Sequence, residues 1–391
     1  MIPAIRDKFN SEYTLQNYEA HLNSIWRWTK GVHDFRICET PLFIDQSIST
    51  KLQEASYEIA ACLQTEEFIR NSSHAIPKDL FVPDEDSHPL FLQIDFAITR
   101  NEKNEFLPQL IELQGFPSLY MFQSELDRTN RKYYNIPDGY TTYFSGLEFE
   151  SYIDLMKKAM VGNHQSENVI LLEIKPDKQK TRIDFYITKE LIGIESVCLT
   201  EVSQKGKKLF YKKNGREIPI YRIYNRVIFD ELHRKSVKSG FDFHEELDVE
   251  WAGHPNWFFR ISKHSLPLIK SQYAPQCYYL NELDQYPSDL GNYVLKPLYS
   301  FAGAGVIVDL KKDSLDKIEK RENYILQRKV EYAPLIKTPD EYSRAEIRMM
   351  FIWFDKPMLV NNLLRTSKGK MMGVDFNKGK TWVGSNIVYH P

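Results

Sequence analysis

The sequence predicts a mixed α/β (α+β) chain, and three observations carry that reading. Residues 1–88 repeat apolar side chains at helical spacing, residues 89–114 alternate like a two-stranded hairpin, and the rest mixes short strands with helices around a glycine-rich turn. The 391 residues suffice for two or three structural units around sizeable cores.

Each unit has its own pattern. Thr14 to Lys30 places Leu15, Tyr18, Leu22, Ile25 and Trp26 close to one helical face, and Ser49 to Ile69 does so with Leu52, Ala55, Ile59, Cys62 and Leu63. Pro77, Pro83 and Pro89 punctuate a linker that closes this helical region, 1–88. Residues 89–165 follow as a hairpin and a helix. Pro89 to Ile98 (PLFLQIDFAI) and Phe106 to Gln114 (FLPQLIELQ) are its strands, Thr99 to Glu105 its turn, and Leu147 to Val161 its helix. Residues 166–250 read as an α/β unit: strand Val169 to Ile174, a helix, then strands at Ser196 to Thr200, Leu209 to Lys212 and Ile218 to Val227. Residues 251–391 hold strands at Tyr293 to Lys296, Gly305 to Leu310, Tyr324 to Val330, Ala345 to Trp353 and Met358 to Leu364.

Composition narrows the function. With 51 basic and 53 acidic residues the net charge is -2, which argues against a general nucleic-acid binder. The densest basic run, Lys205 to Lys213, reads as a solvated hairpin. Cys38, Cys62, Cys198 and Cys277 lie far apart with no zinc spacing, as expected of core thiols in a reducing compartment. The N-terminus has no apolar signal core, and no run of about 18 apolar residues occurs. The expectation is a cytoplasmic protein with no membrane partner. No Ser-His-Asp or Cys-His set emerges, so covalent catalysis by the chain is not indicated.

The chemistry concentrates in a few segments. In YVLKPLYSFAGAGVIV a strand delivers Lys296, and a loop containing Ser300, Gly303 and Gly305 follows. Glycines let backbone N–H groups approach phosphate oxygens, although a tight hairpin with an exposed lysine has the same pattern. Lys263 stands upstream at the expected start of a helix. Tyr324 to Val330 presents Gln327, Arg328, Lys329 and Val330, and Glu346 and Arg348 share a strand face at i, i+2, with Arg365 ending the next strand. On the early hairpin, alternation puts Glu112 and Gln114 on one face, where Asp95 of the neighbouring strand can join them. Such oxygen donors suit Mg²⁺ between phosphates; two half-buried strand carboxylates at an edge are the plainer alternative. Arg226, in YRIYNRVIFDE, sits in an apolar strand, either to grip a carboxylate or to pair structurally with Asp230 or Glu231.

A lysine, a strand lysine, a glycine loop and a strand with Gln-Arg-Lys, in that order, resemble the nucleotide site of ATP-grasp proteins over Arg260 to Ser385. With the Asp95 and Glu112 hairpin placed first, the order is similar to the circularly permuted ATP-grasp arrangement of the glutathionylspermidine-synthase-like group. That resemblance implies a permuted ATP-grasp body with a pre-ATP-grasp-like insert at 166–250. It implies ATP-phosphate lysines at Lys263 and Lys296 and an adenine-contacting stretch at Gln327 to Val330. It implies Mg²⁺ on Asp95, Glu112 and Gln114, and a substrate or phosphate border at Arg226. Two positions depart from the group: Gln114 replaces an asparagine, and Gln93 replaces a phosphate-contacting arginine. The C-terminal stretch lacks Glu-x-Asn, with Asp375 and Asn377 as its nearest substitute.

The implied activity is ATP- and Mg²⁺-dependent joining of a small-molecule carboxylate to an amine or thiol through an acylphosphate. Arg348 or Arg365 would stabilise the transferring phosphoryl group or the substrate carboxylate. A nucleotide-binding protein without turnover and an ATP-dependent phosphotransferase are the alternatives.

Overall fold

The structure, a computed structural model, describes residues 2–229, 232, 237–298 and 305–391, without the side chains of Val374 and Asp375. Two helices open the chain, α1 (Pro3–Glu12) and α2 (Leu15–Trp26), the second capped by the Thr14 hydroxyl, which accepts from the Asn17 N–H at 3.2 Å. Strand β1 (Leu42–Phe43) follows, then α3 (Gln46–Cys62), capped by Asp45, and α4 (Glu66–Ser72).

The hairpin is β2 (Phe91–Arg100) and β3 (Phe106–Gln114), leading to α5 (Tyr120–Tyr133) and α6 (Phe149–Val161). Next come β4 (Val169–Glu173), α7 (Arg182–Ile192), β5 (Glu195–Cys198), β6 (Ser203–Lys205), β7 (Lys208–Lys213), β8 (Arg216–Ile220), β9 (Arg222–Asn225) and β10 (Glu250–Ala252). The last part holds α8 (Asn256–Arg260), β11 (Cys277–Tyr279), β12 (Tyr293–Pro297), α9 (Lys312–Leu315), β13 (Tyr324–Arg328), β14 (Pro334–Ile336), β15 (Ser343–Trp353), β16 (Pro357–Ser367), β17 (Gly384–Asn386) and β18 (Val388–Tyr389).

The early hairpin completes a late sheet. Strand order is β17-β16-β15-β2-β3, with β14 on the end of β15, and β2 pairs antiparallel with β15. One face is apolar throughout: Leu92, Ile94, Phe96, Ile347, Met349 and Leu364 pack with Leu52, Ala55 and Ile59 of α3. The other face is divided. At one end Phe91, Met350, Ile352 and Leu363 join Met121, Phe122 and Leu126 of α5 in a second core. At the other end the same face carries Asp95, Glu112, Glu346, Arg348 and Arg365.

A parallel sheet, β10-β9-β4-β5, lies beside it, with α7 as the crossover from β4 to β5. Strands β11-β13-β12 form a small antiparallel sheet that carries Lys296 and Gln327. The β6-β7-β8 meander contains the basic run, where Lys205, Lys207 and Lys213 pair with Glu217, Glu246 and Glu195. Strands β1 and β18 pair in parallel, tying residues 42–43 to 388–389.

Several expected elements differ. The strand expected at Gly305 to Leu310 is a single bridge, with Ile307 and Leu295 exchanging two bonds of 2.9 and 3.0 Å. Strand β13 stops at Arg328, two residues before the expected Val330, and the Lys329 N–H turns to Asn292 O at 2.7 Å. Lys263 begins a 3-10 segment, Lys263–Leu268, not an α-helix, and Pro267 lies inside it. Helix α5 has no counterpart in the sequence reading, and α1 falls within the region read as helical without an element of its own.

Candidate functional site

Pairing register builds the site. Asp95 lies opposite Glu112 on β3 and opposite Arg348 on β15, Gln93 lies opposite Gln114, and Glu346 lies opposite Arg365 on β16. Directly paired residues project to the same face, so four strands bring these side chains together. Arg348 grips Asp95 with two bonds, Nε to Oδ1 at 2.6 Å and Nη2 to Oδ2 at 2.8 Å, and donates Nη1 to Gln93 Oε1 at 3.0 Å. Gln93 is in turn held through its amide nitrogen by Ser118 O at 2.8 Å. Gln93 thus leaves no deficit of positive charge beside Asp95, because the guanidinium arrives from β15. Arg365 donates to both Asp95 and Glu346, and Tyr332 donates its hydroxyl to Glu346.

The two lysines reach the same place from outside the sheet. Lys263 Nζ lies 3.3 Å from Glu112 Oε1, and Lys296 Nζ donates to Ile111 O at 3.2 Å. Gly115 allows the first approach: a Cβ there would stand 2.4 Å from Trp257 O, so only glycine lets the end of β3 lie against the turn before Lys263. Gly305 has φ +73°, a backbone state that favours glycine, and a Cβ would meet Pro297 at 2.9 Å. Ser300 and Gly303 lie outside the described residues.

Charges are tightly coupled here. Burial alone would raise the Asp95 carboxyl, but Arg348 and Arg365 outweigh it and hold it below the usual carboxylate range. Burial pushes Glu346 above that range, with Arg365 opposing and Asp95 reinforcing the rise. Burial also lowers the Lys296 ammonium, with Glu112 pulling it up and Lys263 pushing it further down. Asp95, Glu112 and Glu346 thus face Arg348, Arg365, Lys263 and Lys296, an excess of one positive charge when all are ionised.

Mg²⁺ takes oxygen donors, commonly one or two protein carboxylates with phosphate oxygens supplying the rest. Asp95 and Glu112, opposite one another, match that donor type. Both already have cationic partners, and among the described residues no group of three His, Cys, Asp or Glu is disposed to hold a metal. The set fits a cation that arrives with phosphates, not one held by the protein alone. Asn377 is occupied otherwise: its Oδ1 accepts from Ser367 and from the N–H groups of Lys368 and Gly369, and its Nδ2 donates to Met371 O and Gly373 O. That makes it a staple of the 367–377 loop, and the side chain of Asp375 lies outside the described set.

The expected adenine stretch is partly committed. Arg328 pairs with Asp289, and Lys329 Nζ donates to Gly291 O. Gln327 is buried, and its amide nitrogen has no partner among the described residues. Arg226 follows β9, with its guanidinium 4.5 Å over the Phe116 ring and 5.6 Å from that of Phe185. Phe116 lies two residues past Gln114, so Arg226 borders the same end of the hairpin. Only a 3.5 Å contact to Thr181 meets Arg226 Nη2, while Nε and Nη1 are buried without partners among the described residues. Asp230 and Glu231, its expected structural partners, lie outside the described residues. Asp184 sits nearby with one buried oxygen that has no partner among the described residues, and burial pushes its carboxyl up to about 6 against the pull of Arg226.

Sequence reasoning did not assign Tyr332, Glu346 or Asp184. Glu346 had a signal, its i, i+2 spacing with Arg348; Tyr332 and Asp184 stand in no pattern that marks them. His254 is tied to Pro83 O at 2.9 Å and stands apart from this set.

No family model and no curated protein matches the chain. Solved structures do match: the glutathione synthetase-like effector GSS30 from Globodera pallida, in its apo form, aligns with 100% of this chain and 99% of its own at a TM-score of 0.58 and 10% identity. The two chains share a fold over their whole length. No helix among the described residues is long and apolar enough to cross a membrane.

Proposed function

We propose that this chain is an ATP-grasp protein of permuted order that binds ATP with Mg²⁺ and joins a carboxylate to an amine. The observation that carries the reading is the convergence of Lys263 and Lys296 on strand β3 beside Asp95, Glu112, Arg348 and Arg365. An enclosed set of four cations around three carboxylates suits a polyphosphate. The shared fold with a glutathione synthetase-like protein supports the same reading.

In this reading Lys263 and Lys296 hold α- and β-phosphate oxygens, and Gln327 offers to the adenine edge an amide that has no partner among the described residues. Mg²⁺, when bound by Asp95 and Glu112 with Gln114 beside them, neutralises charge on the β- and γ-phosphates. Arg365 stabilises charge on the transferring γ-phosphoryl group. The carboxylate oxygen attacks phosphorus, ADP leaves, and the amine then displaces phosphate from the acylphosphate. The chain supplies position and charge, and no covalent bond to protein forms. Arg226 is the proposed anchor for a carboxylate on the second substrate, since two of its nitrogens have no partner among the described residues.

The test is calorimetry with MgATP followed by ADP release in pools of amino acids and polyamines. Lys296→Ala should weaken ATP binding by about 1.5–3 kcal/mol. Absence of nucleotide binding by the wild-type chain overturns the reading. A second reading, nucleotide binding without turnover, is favoured by the Arg348 fork on Asp95; tight binding with no ADP release from any pool would select it.

A further inference from the structure

We infer that Arg365 serves as a resident counterion for Asp95, standing in for a divalent cation until a polyphosphate draws it away, so that metal and nucleotide enter the site together. The inference rests on the nucleotide reading above and concerns the order in which its ligands bind.

The two arginines on Asp95 are not equivalent. Arg348 is fixed: its side chain is 8% exposed, it makes two bonds to the carboxylate, and its remaining nitrogen is held by Gln93, itself tied to Ser118 O. Arg365 is 37% exposed and, among the described residues, is held through a single nitrogen, Nη2, which bridges Asp95 and Glu346. A group that is partly exposed and held through one nitrogen is the one an incoming anion can claim. Its departure leaves Asp95 Oδ2 with one donor fewer and open to a cation. Glu112 behaves alike, because its partner Lys263 is one of the proposed phosphate contacts. One polyphosphate therefore draws partners from both facing carboxylates in a single event.

Charge leads to the same ordering. When all are ionised, these groups carry one excess positive charge, and a lone divalent cation would raise it to three among partly buried side chains, which is unfavourable. A nucleotide triphosphate with its metal brings net negative charge instead. Linkage then requires reciprocity: the factor by which nucleotide tightens metal binding is the factor by which metal tightens nucleotide binding.

The experiment titrates the full chain with Mn²⁺, followed by electron paramagnetic resonance, with and without a non-hydrolysable ATP analogue. Wild type should bind Mn²⁺ at least about 100-fold more tightly with the analogue, and the analogue should gain the same factor from Mn²⁺. Arg365→Gln should gain Mn²⁺ binding in the absence of any nucleotide, by tenfold or more, whereas Arg365→Lys, which keeps the charge, should not. Equal Mn²⁺ affinity with and without bound analogue overturns the inference and leaves the nucleotide reading standing. If the analogue fails to bind at all, the nucleotide reading and the coupled entry built on it fall together. Mn²⁺ binding by Arg365→Gln no tighter than that of wild type without nucleotide also overturns the inference, and Arg365→Met takes its place should the first variant not fold.

Discussion

Asp95 and Arg348 stand opposite each other on β2 and β15 and meet as a two-bond fork, 253 positions apart in the chain and buried on both sides. The pair ties the early hairpin to the late sheet as well as placing a guanidinium in the site. Asp95→Asn and Arg348→Met should each lower stability by about 3–5 kcal/mol, since each leaves a buried charge without its partner. The double variant should cost less than the sum. Urea unfolding of the four proteins checks this.

The same pair predicts an acid response. Asp95 has a folded value below its unfolded one, so its contribution is present above the ordinary carboxylate range and is lost as pH falls through the folded value. Removing Arg348 should move acid unfolding to higher pH, measured by circular dichroism across an acid titration.

Asp184 carries the opposite sign. Its carboxyl is pushed up to about 6, so the native state holds a proton that the unfolded chain releases, and stability falls as pH rises through that interval. Asp184→Asn should flatten the decline in melting temperature between pH 4 and pH 7. Arg226→Met should steepen it, because the arginine charge is what restrains the rise.

Gly115→Ala should destabilise by about 1–3 kcal/mol through overpacking against Trp257 O, a contact of 2.4 Å that backbone cannot easily relieve. It should also separate Lys263 from Glu112 and weaken nucleotide binding. Denaturation and calorimetry on the same variant check both effects.

Asn377→Ala removes an amide that satisfies two backbone N–H groups and two carbonyls of one loop. Hydrogen exchange at Lys368 and Gly369 should quicken at least tenfold while exchange within β2 and β15 is unchanged.

The hairpin was legible because its alternation is strong: Leu92, Ile94 and Phe96 mark one face, leaving Gln93 and Asp95 on the other. The grouping of Lys263 and Lys296 with it came from the resemblance to permuted ATP-grasp proteins, carried by the order of lysine, strand lysine and glycine loop. The arginine partner of Asp95 was not, because nothing local sets the register of β2 against β15. Helix α5 was hidden for another reason. It is buried on most sides, with Gln123, Glu125, Asp127 and Asn130 inside beside Met121, Phe122 and Leu126, so no apolar stripe stands out. Those polar residues find partners far away, such as Asp127 with Tyr389 at 2.8 Å.

The pairing of β2 with β15 sets a schedule for synthesis. At about 5–20 residues per second, roughly 10–50 s separate the emergence of Asp95 from that of Arg348. Through that interval the nascent hairpin has the β15 edge of β2 unpaired, and Ile94 and Phe96 lack their β15 neighbours Met349 and Ile347. An open strand edge beside apolar side chains recruits other chains. The hairpin that places the site is therefore also a segment that gains from shielding by a chaperone while the ribosome completes the sheet.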